Sequence, residues 1–489
     1  MLNSIKESPL YPIVNPRSIA FFGASNNFSA MGTNQFTSLR ALGFEGTIYP
    51  VHPKEEQVQD LKAYRSVLDL PEVPDLAVLV VPTKIVSEIL EECGQKGIKQ
   101  AIIVSGGFKE IGKDGIDREQ ELVEIANKYG IRFLGPNCIG VANPHHKLNT
   151  TFLRYSGVPG FIGMASQSGS FVTQMFNYLS RLSLGFSTAF SVGNEANVDI
   201  VDCMEYLGTC PNTKVIALYI EGIRRGREFV EIARSIIPYK PIVALYVGGS
   251  ETGRRAGFSH TGALAGPDQL YDGVFHQSGV IRAYSIAELF DICWVLGCLP
   301  KPRGARVVIQ THSGGPGAAA ADSCGREGLE LPALSQETLE KLAPFIPKTG
   351  SINNPVDITF TKKPMDYFSD IPKVLLEEDK ADILLIYFLV PSLMVKRALE
   401  RMGLSEDQAI EQSGKMIDAQ CKSIARLLET HNKPIVGYTF RSLQEHFIKS
   451  LLNHGVPVFP GPERAVRAIK ASMQYSDLRE KILASTSNG

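Results

Sequence analysis

One histidine of this chain lies in a segment made almost entirely of small residues. His260 stands within GFSHTGALAG, residues 257–266. Glycine on both sides lets backbone approach a ligand closely. A neutral imidazole, with an unperturbed pKa of about 6.5, is a competent nucleophile near neutral pH. The segment therefore predicts a histidine that accepts and passes on a phosphoryl group; an ordinary packed or surface histidine is the alternative.

A second segment with suitable chemistry follows an apolar strand. Ser168 and Gly169 come after residues 160–165 and open a stretch with apolar residues at helical spacing. The first amides of a helix have no partner inside the helix, and the helix dipole makes this end positive. Such an end stabilises phosphoryl oxygens as charge develops on them. We predict a phosphate site here, with a simple helix cap as the alternative.

A comparable loop near the N-terminus predicts a nucleotide-phosphate site. The apolar residues 18–22 are followed by Gly23, Ala24 and Ser25, but the full G-x-G-x-x-G pattern is absent, so close packing alone is the alternative. After the next strand, Lys54 stands where an NAD-binding domain has an acidic residue. Lys54 thus predicts a phosphorylated ribose, as in CoA or NADP, or else is a solvated lysine. Later strand-end loops that would open on the same rim contain Val81, Pro82, Ser105, Gly106 and Asn137.

Parallel sheets are needed to position these loops. Three times an apolar strand runs into a glycine-containing loop and then into a helical pattern, and continuous apolar strands indicate burial on both faces. Alternation of strands with amphipathic stretches predicts an α/β fold of doubly wound parallel sheets, with ligands beyond the carboxyl ends of the strands. We predict three domains, at residues 1–150, 151–300 and 301–489. Strands are expected at residues 76–81, 101–104, 215–220, 242–247 and 383–389.

The composition favours a cytoplasmic enzyme. The 489 residues include 50 Lys+Arg and 51 Asp+Glu, so no basic surface for nucleic acid is predicted. The longest apolar run is too short to span a membrane, and the first residues lack the apolar core of a signal peptide. None of the eight cysteines forms a C-x-x-C pair. We therefore predict free thiols, with neither a metal site nor a disulfide framework.

Seven segments, in this order, resemble the NDP-forming acyl-CoA synthetases. This superfamily includes ADP-forming acetyl-CoA synthetase and, more distantly, succinyl-CoA ligase. The likeness covers almost the whole chain, and the segments are specific together rather than singly. They are SIAFFGAS at 18–25, GPNC at 135–138, SQSG at 166–169, SVGN at 191–194, LYIEG at 218–222, SHTGALAG at 259–266 and GGPG at 314–317.

The resemblance implies a Rossmann-like CoA-binding domain followed by two flavodoxin-like domains. It implies the reaction of acyl-CoA, ADP and phosphate to give carboxylic acid, CoA and ATP, through an acyl phosphate and a phosphohistidine at His260. Glu221 would orient that imidazole, although a strand-end glutamate usually caps a helix. Coenzyme A would bind at the first-domain loop residues named above. Phosphate would bind at Ser166, Ser168, Gly169, Gly193 and Asn194.

The resemblance also implies a partner, because the ATP-grasp module of the family is not found in this sequence. A separate β subunit would supply it, holding ADP or ATP with Mg²⁺ in a hetero-oligomer. Two departures from the family pattern leave the acid substrate open: Asn197 stands where Asp is expected, and residues 311–313 read Thr-His-Ser before the third glycine loop. The alternatives are an NADP-dependent oxidoreductase and a non-catalytic CoA-binding sensor.

Overall fold

The computed structural model describes residues 4–253, 266–359, 363–389 and 392–487. The chain divides into two compact units. Unit 1 comprises Met1–Ser180, Leu184–Leu289 and Lys481–Gly489, and unit 2 comprises Arg181–Ser183 and Phe290–Glu480.

Unit 1 contains two sheets, of which the first is entirely parallel, in the order β2-β1-β5-β6-β7. Its central strands β1 and β5 are buried along their whole length, as expected for a sheet covered on both faces. The strands of this region are β1 (Ser18–Phe22), β2 (Thr47–Val51), the β3–β4 hairpin (Gln57–Val58 and Leu61–Lys62), β5 (Leu76–Leu79), β6 (Gln100–Ile103) and β7 (Arg132–Leu134). Its helices are α1 (Tyr11–Val14), α2 (Met31–Ala41), α3 (Val86–Lys96) and α4 (Lys113–Tyr129), with 3₁₀ helices at Ile5–Glu7, Val67–Asp69, Thr83–Ile85, Lys109–Ile111 and Pro144–His146.

The second sheet of unit 1 has seven strands in the order β14-β13-β12-β10-β11-β8-β9. The pairs β11–β8 and β8–β9 are antiparallel, and the other pairs are parallel. The strands are β8 (Gly140–Asn143), β9 (Leu148–Asn149), β10 (Ile162–Ser166), β11 (Phe186–Ser191), β12 (Val215–Ile220), β13 (Ile242–Tyr246) and β14 (Ile281–Ala283). The helices are α5 (Gly169–Arg181), α6 (Ile200–Thr209), α7 (Gly226–Ile236) and α8 (Asp268–Ser278).

Unit 2 is built on one parallel sheet in the order β16-β15-β17-β18-β19. The strands are β15 (Val307–Thr311), β16 (Val356–Asp357), β17 (Ile383–Tyr387), β18 (Ile435–Thr439) and β19 (Val458–Pro460). It contains most of α9 (Ile286–Cys298) and of α16 (Pro462–Ser487), a 3₁₀ helix at Pro364–Tyr367, and α10 (Gly314–Arg326), α11 (Gln336–Leu342), α12 (Asp370–Glu377), α13 (Ser392–Arg401), α14 (Glu406–His431) and α15 (His446–Asn453).

The predicted α/β class with three mainly parallel sheets is confirmed, and each of the five expected apolar strands forms within a residue or two of its predicted limits. The first two sheets fall in one compact unit and the third in the other; the division into three domains stays a prediction. Strands β8 and β9, inside the predicted first domain of residues 1–150, add antiparallel strands to the second sheet.

All eight cysteines are free thiols, as predicted. Among the described residues, no helix has the length and apolarity that crossing a membrane requires.

Candidate active site at the carboxyl ends of two sheets

A cavity of about 470 Å³ opens at the carboxyl ends of the first sheet. Its wall includes the start of α2, at Ala30, Met31 and Gly32, and apolar side chains at Ile139 and Phe152. Because unpaired amides at a helix start favour anions, the cavity suits a phosphorylated ligand. Six of the nine residues predicted to bind CoA line it: Gly23, Val81, Pro82, Ser105, Gly106 and Asn137.

Glycine at position 23 is required by the close approach of two strand-end loops. Its φ is +94°, and a Cβ there would lie 1.9 Å from the carbonyl oxygen of Val80. Gly32 is equally constrained, because a Cβ there would lie 2.2 Å from the carbonyl oxygen of Gly23. The helix after β1 begins at Met31, later than the Gly23-Ala24-Ser25 motif suggests, and the close approach at Gly32 shows that the loop packs back onto this helix.

The other three predicted CoA residues do not line this cavity. Ala24 is buried, and the N–H of Ser25 donates to Thr33 Oγ1 at 3.0 Å. Lys54 is exposed, and its backbone N–H donates to His52 Nδ1 at 3.2 Å. Ala24 and Ser25 thus support the loop, whereas Lys54 lies apart from the cavity wall.

The predicted phosphate segment lies at the carboxyl end of β10 in the second sheet. Ser166 Oγ accepts from the N–H of Ser168 at 3.1 Å and donates to the Ser168 carbonyl at 2.8 Å. Helix α5 begins at Gly169, as predicted. A Cβ on Gly169 would lie 3.2 Å from Ile139 Cγ2. Since Ile139 also lines the cavity of the first sheet, that cavity and the start of α5 share a wall.

Gln167 connects the ends of three neighbouring strands. Its Oε1 accepts from the N–H groups of Glu221 and Gly222, the latter at 3.0 Å, just beyond β12. Its Nε2 donates to the Gly222 carbonyl at 2.7 Å and to Glu195 Oε2 at 2.8 Å. Glu195 lies in the loop that follows β11. The backbone at Glu221 is therefore held by a side chain from the adjacent strand end.

Glu195 is a buried carboxyl group beside this network. It is 7% exposed, and Oε1 accepts from the N–H of Ile200 at 2.9 Å. Burial raises the pKa of Glu195 to about 7, against the opposing effect of the Arg224 guanidinium. Arg224 donates to the carbonyls of Glu195 and Asn194, each at 2.9 Å. Glu195 consequently titrates near neutral pH at the centre of the site.

Asn194, predicted to bind phosphate, has its side chain engaged elsewhere. The side chain is buried, and Nδ2 donates to Glu110 Oε2 at 2.7 Å and to Glu119 Oε2 at 2.8 Å. Oδ1 accepts from Asn137 Nδ2 at 3.3 Å. The side-chain donors of Asn194 thus join the first sheet to the second and are not directed to a phosphate. Gly193 has φ +61°, and a Cβ placed on it would lie 2.4 Å from the Pro136 carbonyl oxygen. Glycine at this position therefore allows the loop to pass close to Pro136.

Two stacked tyrosines lie beside the Glu221 segment. Tyr271 Oη accepts from the N–H of Ile223 at 3.2 Å, and its ring stacks on Tyr246 at 3.5 Å between centroids. Tyr246 Oη donates to the Gly266 carbonyl at 2.8 Å. His260 lies outside the described residues. Gly266, where the described chain resumes, therefore stands close to the segment that carries Glu221.

The third glycine loop is described in unit 2. Helix α10 begins at Gly314, directly after Thr311-His312-Ser313. The His312 ring stacks on Tyr367 at 3.6 Å, and burial lowers the pKa of His312 to about 4. This histidine is neutral at physiological pH. Among the described residues, no group of three or more His, Cys, Asp or Glu side chains is arranged to hold a metal ion.

Comparison with known proteins defines the class to which this arrangement belongs. Three family models match the chain: a CoA binding domain at residues 17–144, a succinyl-CoA ligase like flavodoxin domain at 159–296 and a ligase-CoA domain at 307–409. The fold and these matches together define a CoA ligase.

Relatives narrow the assignment further. The chain is 39% identical, over 94% of its length, to the α subunit of ADP-forming acetate–CoA ligase II of Pyrococcus furiosus, and covers 97% of it. It is 37% identical, over 95% of its length, to ADP-forming acetate–CoA ligase I of Archaeoglobus fulgidus, and covers 64% of it. A solved structure of dinucleotide forming acetyl-coenzyme A synthetase 1 from Ca. Korarchaeum cryptofilum, in complex with phosphate and ADP, matches at 31% identity and a TM-score of 0.85, covering 97% of this chain and 98% of that chain.

The chain therefore belongs to the ADP-forming acyl-CoA synthetase family. The resemblance seen in the sequence is confirmed, and the family selects this interpretation over the NADP-dependent oxidoreductase. Three residues of the site are not predicted from the sequence: Gln167, Glu195 and Arg224. Two of them adjoin motif residues, since Gln167 lies inside SQSG and Glu195 follows Gly193-Asn194.

Proposed function

We propose that this chain performs the acyl-transfer and phosphohistidine steps of an ADP-forming acyl-CoA synthetase, with a separate β subunit completing the enzyme. The observation that carries the proposal is the position of the cavity, which shares Ile139 with the start of α5. A thioester in the cavity and a phosphate at α5 would meet there. The family membership supplies the reaction class.

The proposed reaction has three transfers. Inorganic phosphate attacks the thioester carbonyl, the C–S bond breaks, and CoA leaves as the thiolate while an acyl phosphate forms. A ring nitrogen of His260 then attacks the phosphorus, and the P–O bond to the acyl group breaks to release the carboxylate. Finally the phosphoryl group passes from His260 to ADP, giving ATP. The reverse sequence activates a free carboxylic acid.

Glu221 is the carboxylate that we assign to orienting the imidazole. A carboxylate that accepts from one ring N–H fixes the tautomer and leaves the other nitrogen with a free lone pair. Support comes from the tyrosine pair, because Tyr271 holds Ile223 and Tyr246 holds Gly266, six residues after His260. The N–H of Ser168 is engaged by Ser166 Oγ, so the backbone amide of Gly169, at the start of α5, is the one that would stabilise the phosphoryl oxygens.

The nucleotide, with Mg²⁺, is proposed to bind to an ATP-grasp β subunit in a hetero-oligomer. Two features support a separate subunit. The Pyrococcus relative, which this chain covers almost completely, is named an α subunit. The Archaeoglobus relative extends well beyond the part that this chain covers. The acid substrate and its thioester are proposed as small-molecule partners, and the cell compartment as the cytoplasm.

The test is phosphoryl labelling of the full chain without any β subunit. Incubation with radioactive phosphate and, in turn, acetyl-CoA, isobutyryl-CoA, phenylacetyl-CoA and succinyl-CoA should label the chain with at least one thioester, without forming ATP from ADP. His260→Ala should abolish the label. His276→Ala, which changes an exposed histidine of α8, is the matched control and should keep it.

Label that persists in His260→Ala would place the phosphoryl group on another residue. A wild-type chain that takes no label from any of the four thioesters, yet binds CoA, would instead support the non-catalytic CoA-binding sensor. ATP formation by the chain alone would overturn the requirement for a β subunit.

A further inference from the structure

The side chain of Gln167 makes every hydrogen bond that its amide can form. Oε1 accepts two, from Glu221 and Gly222, and Nε2 donates two, to Gly222 and Glu195. The residue is 9% exposed. Because a primary amide offers two donors and two lone pairs, no hydrogen-bonding capacity is left for a ligand. These four hydrogen bonds are therefore the polar links between the Gln167 side chain and its surroundings.

The orientation of this amide follows from its backbone partners. The N–H groups of Glu221 and Gly222 are both donors, so the atom that faces them must be the oxygen. Nε2 then faces Glu195 Oε2 and the Gly222 carbonyl, which are acceptors. A flipped amide would turn its hydrogens against two N–H groups. One rotamer and one amide orientation are thus specified.

Glu195 is itself fixed, so it can fix Gln167 in turn. Its Oε1 accepts from the N–H of Ile200, the first residue of α6. Its backbone has φ +56°, and its carbonyl accepts from Arg224 at 2.9 Å. The carboxyl group therefore links the start of α6 to Gln167, and Gln167 links it to the end of β12.

We propose that Gln167 is a positioning residue, held by Glu195, that sets the place of Glu221 for phosphoryl transfer at the histidine. Gln167 touches neither the substrate nor the phosphoryl group; it fixes the backbone from which the Glu221 side chain projects. The inference rests on the proposed role of Glu221 and adds the two residues that hold it. Misplacement of a catalytic group by about 1 Å can slow a reaction about a hundredfold.

The chain offers an exchange of partners as a test. Gln167→Glu alone places two carboxylates next to each other. Glu195→Gln alone turns an amide NH₂ toward another donor, either Nε2 of Gln167 or the N–H of Ile200. The double variant Q167E/E195Q restores a pair: the carboxylate at 167 accepts from Glu221, Gly222 and the new amide at 195, which still accepts from Ile200. The bond to the Gly222 carbonyl is lost, and a carboxylate oxygen then faces that carbonyl oxygen, so the restoration is partial. Gln167→Met removes the polar contacts with little change of size, and Gln120→Met, at an exposed position of α4, is the control.

Two measurements on the full chain keep this inference distinct from the proposed function. The first is hydrogen exchange of the peptide spanning residues 218–225, which reports whether Gln167 holds the Glu221 backbone in any chain, active or not. The second is the single-turnover rate of phosphoryl labelling, with the half-saturating thioester concentration measured alongside. Thermal unfolding midpoints identify any variant that does not fold. If a single variant does not fold, the hydrogen exchange and labelling rate of the double variant are compared with those of wild type.

In Gln167→Met, the amide hydrogens of the peptide 218–225 should exchange at least about tenfold faster than in wild type. Phosphoryl labelling should be about tenfold to a hundredfold slower, and the half-saturating thioester concentration should be unchanged. Gln167→Glu and Glu195→Gln should each resemble Gln167→Met, and Q167E/E195Q should regain part of both values and exceed either single variant. Gln120→Met should match wild type. Unchanged hydrogen exchange in Gln167→Met, or faster exchange with an unchanged labelling rate, would overturn the proposal. A wild-type chain that takes no label would refute the proposed function, and the catalytic part of this inference with it, whatever the exchange data show.

Discussion

At Glu195, burial and hydrogen bonding act in opposite directions. The network around Gln167 is satisfied by a carboxylate, which accepts from Gln167 and from Ile200. Burial disfavours that charge and raises the pKa to about 7, the Arg224 guanidinium opposes the rise, and Asp199 adds to it. The buried carboxyl group is tolerated because both of its oxygens accept hydrogen bonds. With a pKa of about 7, it is only about half ionised near neutral pH.

Glu195→Gln should make stability less dependent on pH. The folded pKa of about 7 lies above the unfolded value, so the contribution of the group to stability is fully present below the unfolded pKa and is lost as pH rises through 7. The loss amounts to at most about 3 kcal/mol. The unfolding midpoint of Glu195→Gln relative to wild type should therefore rise between pH 5 and pH 8, measured by differential scanning fluorimetry.

The informative quantity is the change of the unfolding midpoint with pH, compared between Glu195→Gln and wild type. The substitution also lowers stability by a pH-independent amount, because it disturbs the contact with Gln167. Glu124→Gln, which changes an exposed residue of α4, is the control and should show no such trend. A difference between Glu195→Gln and wild type that stays flat from pH 5 to pH 8 would mean that Glu195 is fully ionised throughout.

The loop after β11 is the element that joins the two sheets of unit 1. It runs beside the loop after β7, with backbone bonds from Asn194 to Pro136 at 2.9 Å, and from Ala196 and Val198 to Gly135 and Phe133, each at 3.2 Å. Asn197 Oδ1 accepts from the N–H of Phe133 at 3.2 Å. An aspartate, expected from the family pattern, would offer the same acceptor. This departure therefore keeps the local structure and says nothing against the reaction.

Asn194→Asp should destabilise unit 1 more than Asn194→Ala. The aspartate would place a third carboxylate beside Glu110 and Glu119, at a position that is 3% exposed. Burial disfavours ionisation of Glu110, but bonds from Asn194 and from the N–H groups of Gly107 and Phe108 outweigh it and hold its pKa below the usual value. We expect a loss of about 3 to 5 kcal/mol for the aspartate at pH 8, as for an unpaired buried charge.

The sign of the pH effect separates charge from simple loss of contacts. The pKa of an aspartate at 194 would be raised by burial and by its neighbours, so the stability it contributes is present at low pH and lost as pH rises. The gap between Asn194→Asp and Asn194→Ala, read from unfolding midpoints, should narrow at pH 5. Equal midpoints for the two variants at pH 8 would show that Lys109, whose Nζ lies 3.9 Å from Glu119 Oε1, neutralises the added charge.

Sequence patterns predict these elements well where the signal is local. Helices α5 and α10 begin at Gly169 and Gly314, immediately after their strands, as glycine at a strand-to-helix turn suggests. The helix after β1 is delayed to Met31 because an eight-residue loop intervenes. Strands β8 and β9 are short and antiparallel, so they lack the continuous apolar run that marks a buried strand.

The contacts of Gln167 could not be predicted in the same way. They reach residues 28 and 54 positions along the chain, and only the order of strands in the sheet brings those positions together. Motif spacing identified the neighbours of Gln167 and missed the residue that ties them to one another. Conversely, it selected Asn194 for phosphate when the side chain has a structural task between two sheets.

Unit 2 is an insertion in unit 1 when the whole chain is followed. Apart from Arg181–Ser183, which are grouped with unit 2, the chain leaves unit 1 after Leu289, forms unit 2, and returns at Lys481. The returning end of α16 packs inside unit 1: a Cβ placed on Gly279 would lie 2.5 Å from Ile482 Cδ1, and Arg234 donates to Ser485 Oγ at 2.7 Å. The last turns of α16 therefore contribute to the stability of unit 1, which also contains the first residues of the chain.

Ile482→Ala should loosen unit 1 around α7 and α8, some two hundred residues away in sequence. Ile482 is 5% exposed, and removing a buried branched side chain costs about 2 to 5 kcal/mol through lost burial and the cavity left behind. Hydrogen exchange should become faster in peptides covering residues 228–240 and 270–283. Peptides from the central strands of unit 2, at 383–389 and 435–439, should be unaffected. Leu483→Ala, at a neighbouring position that is 38% exposed, should change either set little. Faster hydrogen exchange spread evenly through both sets of peptides would contradict this prediction.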